Sequence, residues 1–127
     1  MSVRGIIIAH ADLAQAFVAT VESITGPQEN LVAISNNRYS REDMDRLIRQ
    51  YLADGEPTVI FTDFSAGSTF AAARSAVNAY CQSGQTVCDA LSGVNLPMLI
   101  SFATKRNTLS FPALVETLRQ DGHRGIQ

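Results

Sequence analysis

Two side chains stand where nucleophilic chemistry can start. His10 closes the apolar run Gly5-Ile6-Ile7-Ile8-Ala9, and Asp63 closes the run Thr58-Val59-Ile60-Phe61-Thr62. A carboxylate that accepts a hydrogen bond from one imidazole nitrogen fixes the tautomer and leaves the other nitrogen's lone pair free. That is how a histidine is prepared as a nucleophile. Directly after Asp63 comes Phe64-Ser65-Ala66-Gly67-Ser68-Thr69-Phe70, largely small and hydroxylic, opening into a helical pattern. Backbone amides at a helix start, aided by the helix dipole, stabilise an anion such as phosphate, and Ser65, Gly67 and Ser68 are the candidates to line such a cradle. Together these residue types point to phosphoryl transfer through a phosphohistidine. Each also has a plain structural reading: a histidine as a polar loop residue, an aspartate in an Asx turn, a serine as a helix N-cap. The residues taken alone leave both readings open.

For His10 and Asp63 to meet, the elements carrying them must be neighbours. Apolar runs at Gly5–Ala9, Leu31–Ser35, Thr58–Thr62 and, more weakly, Val87–Ser92 read as strands. Helical spacing separates them. Leu13, Phe17, Val21 and Ile24 recur along the first helix, which Gly26-Pro27 ends. Ser40 with Asp43 forms a variant capping box ahead of the stripe Met44, Leu47, Ile48, Tyr51 and Leu52. A third helix starts near Ser68 and carries Phe70, Ala73, Val77 and Tyr80 until Ser83-Gly84. Met98–Ala103 is helical after Pro97, and a last helix runs from about Ser110 to Asp121 with Gly122 as its stop. Strands apolar on both faces, alternating with amphipathic helices, predict an α/β fold: an open, mostly parallel sheet with helices on both faces. The flavodoxin-like order 2-1-3-4 is one of few that right-handed crossovers allow. It sets strands one and three side by side, with the ligand crevice beyond their carboxyl ends. Ala11, Phe64 and Asn95 are candidates for the rim of that crevice.

The bulk numbers agree with one domain over residues 1–127. A net charge of -2 without a basic face gives no reason to expect nucleic acid. The start of the chain does not read as a signal peptide and no apolar stretch approaches ~20 residues, so a cytoplasmic protein is expected. Cys81 and Cys88 lack CxxC spacing and read as two reduced, buried thiols, and no metal site is expected.

Four stretches carry a resemblance to the enzyme IIA domain of the mannose-type bacterial phosphotransferase system. "GIIIAH" at 5–10 resembles the family's opening strand with its phosphorylated histidine, and "GPQENLVAI" at 26–34 its Gly-x-x-Glu-Asn stretch. "FTDFSAGSTF" at 61–70 lies where the family has Asp-Thr-x-Gly-Gly-Ser-Pro-Phe, and "SGVNLPMLI" at 92–100 is similar to its Gly-x-Asn-x-Pro-Met-Leu segment. The resemblance implies a phosphotransferase. It makes His10 the phosphoryl carrier through Nε2, with Asp63 holding Nδ1–H and Ser68 and nearby amides holding the phosphoryl oxygens. It implies the histidine phosphocarrier protein as donor, a IIB domain as acceptor, membrane permease subunits downstream, a homodimer, and no metal or organic cofactor. Only Arg124–Gln127 is left to serve as the C-terminal strand that some members exchange, so exchange is not expected.

The chain departs from the family pattern at four positions. Ala11 replaces the usual glycine after the histidine, Phe64 the threonine, Ala66 the first glycine and Thr69 the proline. These changes motivate an alternative in which the same phosphohistidine signals to a partner protein without feeding a transporter. A nucleotide-binding role has no motif behind it, since neither a Walker sequence nor a G-x-G-x-x-G is present.

Overall fold

The structure is a computed structural model and describes residues 2–127. Four parallel strands, β1 (Arg4–Ala9), β2 (Leu31–Ser35), β3 (Thr58–Thr62) and β4 (Cys88–Leu91), form one sheet in the order β2-β1-β3-β4. The helices are α1 (Leu13–Thr25), α2 (Arg41–Leu52), α3 (Ser68–Gln82), α4 (Leu96–Lys105) and α5 (Phe111–Arg124). A single 3-10 turn, Asn36–Arg38, follows β2.

All six residues of β1 are buried, because helices cover the sheet on both faces. Side chains alternate across a strand, and here the alternation sorts them into two cores. Ile7 and Ala9, with Val59 and Phe61, pack with Val21 of α1, Leu99 and Phe102 of α4 and Leu118 of α5. Ile6 and Ile8, with Ile60, pack with Ile48 and Leu52 of α2 and Ala73 and Val77 of α3. A strand buried on both sides has no polar face to keep, hence the unbroken apolar run in the sequence. At the amino end of the sheet the buried Arg4 guanidinium donates to Asp54 at 2.7 Å and to the Tyr51 carbonyl at 2.7 Å, tying β1 to the end of α2.

At the other end, register decides the geometry. Ile8 pairs with Thr62 across β1 and β3, and Ala9 pairs with Ser35 across β1 and β2. His10, Asp63 and Asn36 therefore leave the carboxyl edge of three adjacent strands.

Four local expectations need correction. Gly122 does not stop the last helix, which continues to Arg124. It is a close-packing position instead, where a Cβ would lie 2.9 Å from Met98 Cε. Cys81 is exposed on α3, and only Cys88 is buried; burial pushes the Cys88 thiol up to about 11. Strand β4 is shorter at both ends than its apolar run. Ser40 caps α2 by accepting from the Asp43 amide at 3.1 Å, but Asp43 pairs with Arg46 rather than closing the box.

Candidate active site at the carboxyl edge of the sheet

His10 reaches its position by a tight turn out of β1. Its carbonyl accepts from the Leu13 amide at 3.1 Å as α1 begins, and Ala11 takes the left-handed region at φ 51 to reverse the chain. Glycine enters that region without a Cβ penalty, and alanine does so at a cost of about 1–2 kcal/mol. Ala11 thus occupies a backbone conformation that favours the glycine of the family pattern.

Asp63 holds the imidazole from beneath. Its Oδ2 accepts from His10 Nδ1 at 2.7 Å and from the His10 backbone amide at 2.9 Å, while Oδ1 accepts from the Phe64 amide at 3.1 Å. Burial pushes the carboxyl up. The hydrogen bonds from the His10 ring and amide, joined by Coulombic attraction when the ring is protonated, outweigh burial and hold the carboxyl below its ordinary value. An ionised Asp63 cannot donate, so Nδ1 carries the proton and Nε2 keeps its lone pair in the neutral ring. The histidine side chain is 50% exposed and the aspartate 11%, so the orienting group is sheltered while the ring remains accessible.

Three further contacts complete the surroundings. The Phe64 ring stacks on the imidazole, with centroids 5.3 Å apart and planes at 24°. Gly67 is the N-cap of α3 and faces the Phe64 ring, a Cβ there falling 3.3 Å from Phe64 Cε2. Asn36 Nδ2 lies 3.4 Å from His10 Nε2 and donates to Thr69 Oγ1 at 2.8 Å.

Ser65 and Ser68 are exposed beside this group. Ser68 is not a cap: it is the first residue of α3, with Gly67 before it and no side-chain cap bond. It lines a cleft of about 130 Å³ with Asn36, Tyr39, Ser40 and Thr69. Asn95 is not brought to His10. It caps α4, accepting from the Met98 amide at 3.0 Å and donating to the Gly122 carbonyl at 3.1 Å, and it lines a different cleft together with His123. A more open groove of about 890 Å³ runs between α2 and α3 and includes neither His10 nor Asp63.

Sequence reasoning missed Asn36 and the role of Thr69. The signal for Asn36 was present, since it is the first polar residue after the second strand, as His10 and Asp63 are for the first and third.

Residues 5–119 match the family model described as the phosphotransferase-system fructose IIA component, of the mannose type. The chain belongs to this family. Among solved structures, the phosphotransferase-system component EIIA of Streptococcus agalactiae is 26% identical with a TM-score of 0.87, covering 98% of this chain and 95% of that one. The mannose/sorbose-specific IIA subunit of Enterococcus faecalis is 20% identical with a TM-score of 0.82, covering 100% and 94%. A sigma-54 interaction domain protein from Enterococcus faecalis shares the fold at 12% identity, with a TM-score of 0.74 and coverage of 98% and 93%. No curated protein matches the chain.

Within the IIA family pattern, the departure at position 69 acquires a physical meaning. Proline suits the first turn of a helix, where the amide has no intrahelical partner. Thr69 sits in that first turn and adds a hydroxyl, which the Asn36 amide uses.

Proposed function

We propose that this IIA protein carries a phosphoryl group on Nε2 of His10, accepting it from the histidine phosphocarrier protein and passing it to a IIB domain that serves membrane permease subunits in sugar uptake. The observation that carries the reading is the 2.7 Å contact between Nδ1 and Asp63 Oδ2 on a ring that is half exposed. The Nε2 lone pair attacks phosphorus as the donor's P–N bond breaks, and the donor ring leaves with that bond's electron pair. The His10 ring gains positive character, which Asp63 stabilises through Nδ1–H without taking the proton. Amides at the start of α3 and the hydroxyls of Ser65 and Ser68 serve as donors to the phosphoryl oxygens. Transfer to the IIB domain is the same step reversed. In this reading the protein works in the cytoplasm as a homodimer.

Incubation with phosphoenolpyruvate, enzyme I and the phosphocarrier protein should add one acid-labile phosphoryl group per chain. His10→Ala should abolish labelling and His123→Ala should leave it intact. Labelling that survives His10→Ala refutes the assignment.

A second reading, a regulatory phosphohistidine module, is favoured by Phe64, whose ring covers a face of the imidazole where the family pattern has a threonine hydroxyl. The fold it shares with a sigma-54 interaction domain protein is compatible with it. Phosphorylated protein that transfers to no IIB domain would support regulation over transport.

A further inference from the structure

We propose that Asn36, held by Thr69, positions the phosphoryl group on His10: its amide gives one proton to Thr69 Oγ1 and turns the other toward Nε2 and the group bound there. The inference rests on the reading of His10 as the phosphoryl carrier.

A carboxamide nitrogen carries two protons that diverge in the amide plane. Thr69 takes one at 2.8 Å. Thr69 is buried, 6% exposed, and stands in the first turn of α3, so its hydroxyl is a fixed acceptor that holds the amide in place. The second proton is left for the crevice, where Nε2 lies 3.4 Å away. That separation is long for a hydrogen bond, which is normally about 2.7–3.2 Å. The contact is therefore loose in the free protein, and a phosphoryl oxygen placed on Nε2 is a stronger, charged acceptor for the same N–H. The opposite amide orientation fails on charge. With Nδ1 protonated against Asp63, Nε2 presents a lone pair, and a carboxamide oxygen facing it would set two acceptors against each other.

During transfer, the Nε2–P bond forms while the donor's N–P bond breaks. The Nδ1 proton remains on the ring against Asp63. Asn36 donates a hydrogen bond and gives up no proton. Its effect is to fix where the oxygens lie, which aligns phosphorus with Nε2 and disfavours the loose, mobile arrangement open to water.

The test uses the full chain with phosphoramidate, a small donor that phosphorylates histidine without a docked protein and so separates positioning from partner recognition. Wild type, Asn36→Ala, Thr69→Val and Thr69→Ser are compared, with far-UV circular dichroism to establish folding. In the unphosphorylated protein, the ¹⁵N resonance of His10 Nε2 should lie upfield, as for a weakly hydrogen-bonded lone pair. It should move toward the free-acceptor position in Asn36→Ala and Thr69→Val. Phosphohistidine should form roughly ten- to a hundredfold more slowly in both, the scale of one lost hydrogen bond to a charged group. Thr69→Ser should restore the resonance and the rate. An Asn36→Ala protein with unaltered resonance and rate, in a wild type labelled at His10, overturns this proposal alone. A wild type that takes no label at His10 from either phosphoramidate or the phosphocarrier protein overturns both it and the carrier reading.

Discussion

One oxygen of Asp63 accepts two hydrogen bonds from His10, the ring Nδ1–H at 2.7 Å and the backbone amide at 2.9 Å. The carboxylate thereby fixes both the plane of the imidazole and the end of the strand that carries it. Asp63→Asn replaces an obligate acceptor by an amide that can present N–H to Nδ1. The ring should then lose its single tautomer, and phosphorylation of His10 should slow by roughly a hundredfold or more. Rapid-quench labelling measures this directly. Because the Asp63 carboxyl is held below its ordinary value, it stabilises the folded state above the ordinary carboxylate range. That contribution is lost as pH falls through the folded value. Stability followed by urea titration should fall more steeply below about pH 4 in wild type than in Asp63→Asn.

Gly67 and Phe64 form a second coupled pair. A Cβ at Gly67 would come within 3.3 Å of the Phe64 ring, which itself stacks on His10. Gly67→Ala needs the Phe64 ring to give by only a few tenths of an ångström, so it should shorten the phosphohistidine half-life slightly, with little change in melting temperature. Phe64→Ala should shorten the half-life in the same direction, since it removes the cover over one ring face. A longer half-life in either variant contradicts the shielding role.

The backbone at Ala11 is strained in a way that a substitution can relieve. With φ at 51, Ala11→Gly removes a left-handed penalty of about 1–2 kcal/mol and adds about 0.4–1 kcal/mol of unfolded-state entropy. The variant should be neutral or more stable by up to about 1.6 kcal/mol. Urea midpoints at unchanged m-value are the measurement.

Gly5 is required by packing rather than by backbone freedom. A Cβ there would lie 2.8 Å from Phe102 Cε2 in the core and 2.9 Å from Cδ1 of the partly buried Leu31 on β2. Gly5→Ala should destabilise by about 1–3 kcal/mol, the usual cost of overpacking. A variant as stable as wild type would mean that α4 yields to the added methyl.

The two thiols should react differently. Cys81 is exposed, whereas Cys88 is buried and its pKa is pushed up to about 11. Native protein should react with one equivalent of a thiol reagent near neutral pH, and denatured protein with two.

Much of this molecule is written in local patterns. Runs such as Gly5–Ala9 and Thr58–Thr62, apolar at every position, specify strands covered on both faces, and the stripe from Met44 to Leu52 specifies a one-sided helix. Together with the handedness of crossovers they narrow the strand order to a few, and the one adopted, β2-β1-β3-β4, sets the strands that end in His10 and Asp63 side by side. Periodicity and topology suffice here because burial is a property of each segment and crossover chirality is nearly invariant.

What the sequence could not state is how side chains from separate elements close upon one another. Gly122 reads as a helix stop, yet it packs against Met98 inside a helix that continues. Asn95 reads as a rim residue, yet the first turn of α4 and the Gly122 carbonyl use both ends of its amide. Asn36 stands at the end of the second apolar run with nothing in the sequence to name its partner, yet it donates to Thr69, 33 positions away, and lies 3.4 Å from His10 Nε2. These outcomes depend on distances of a few tenths of an ångström between elements remote in sequence. Hydrogen bonding and close packing are short-ranged, so only the assembled tertiary structure decides them.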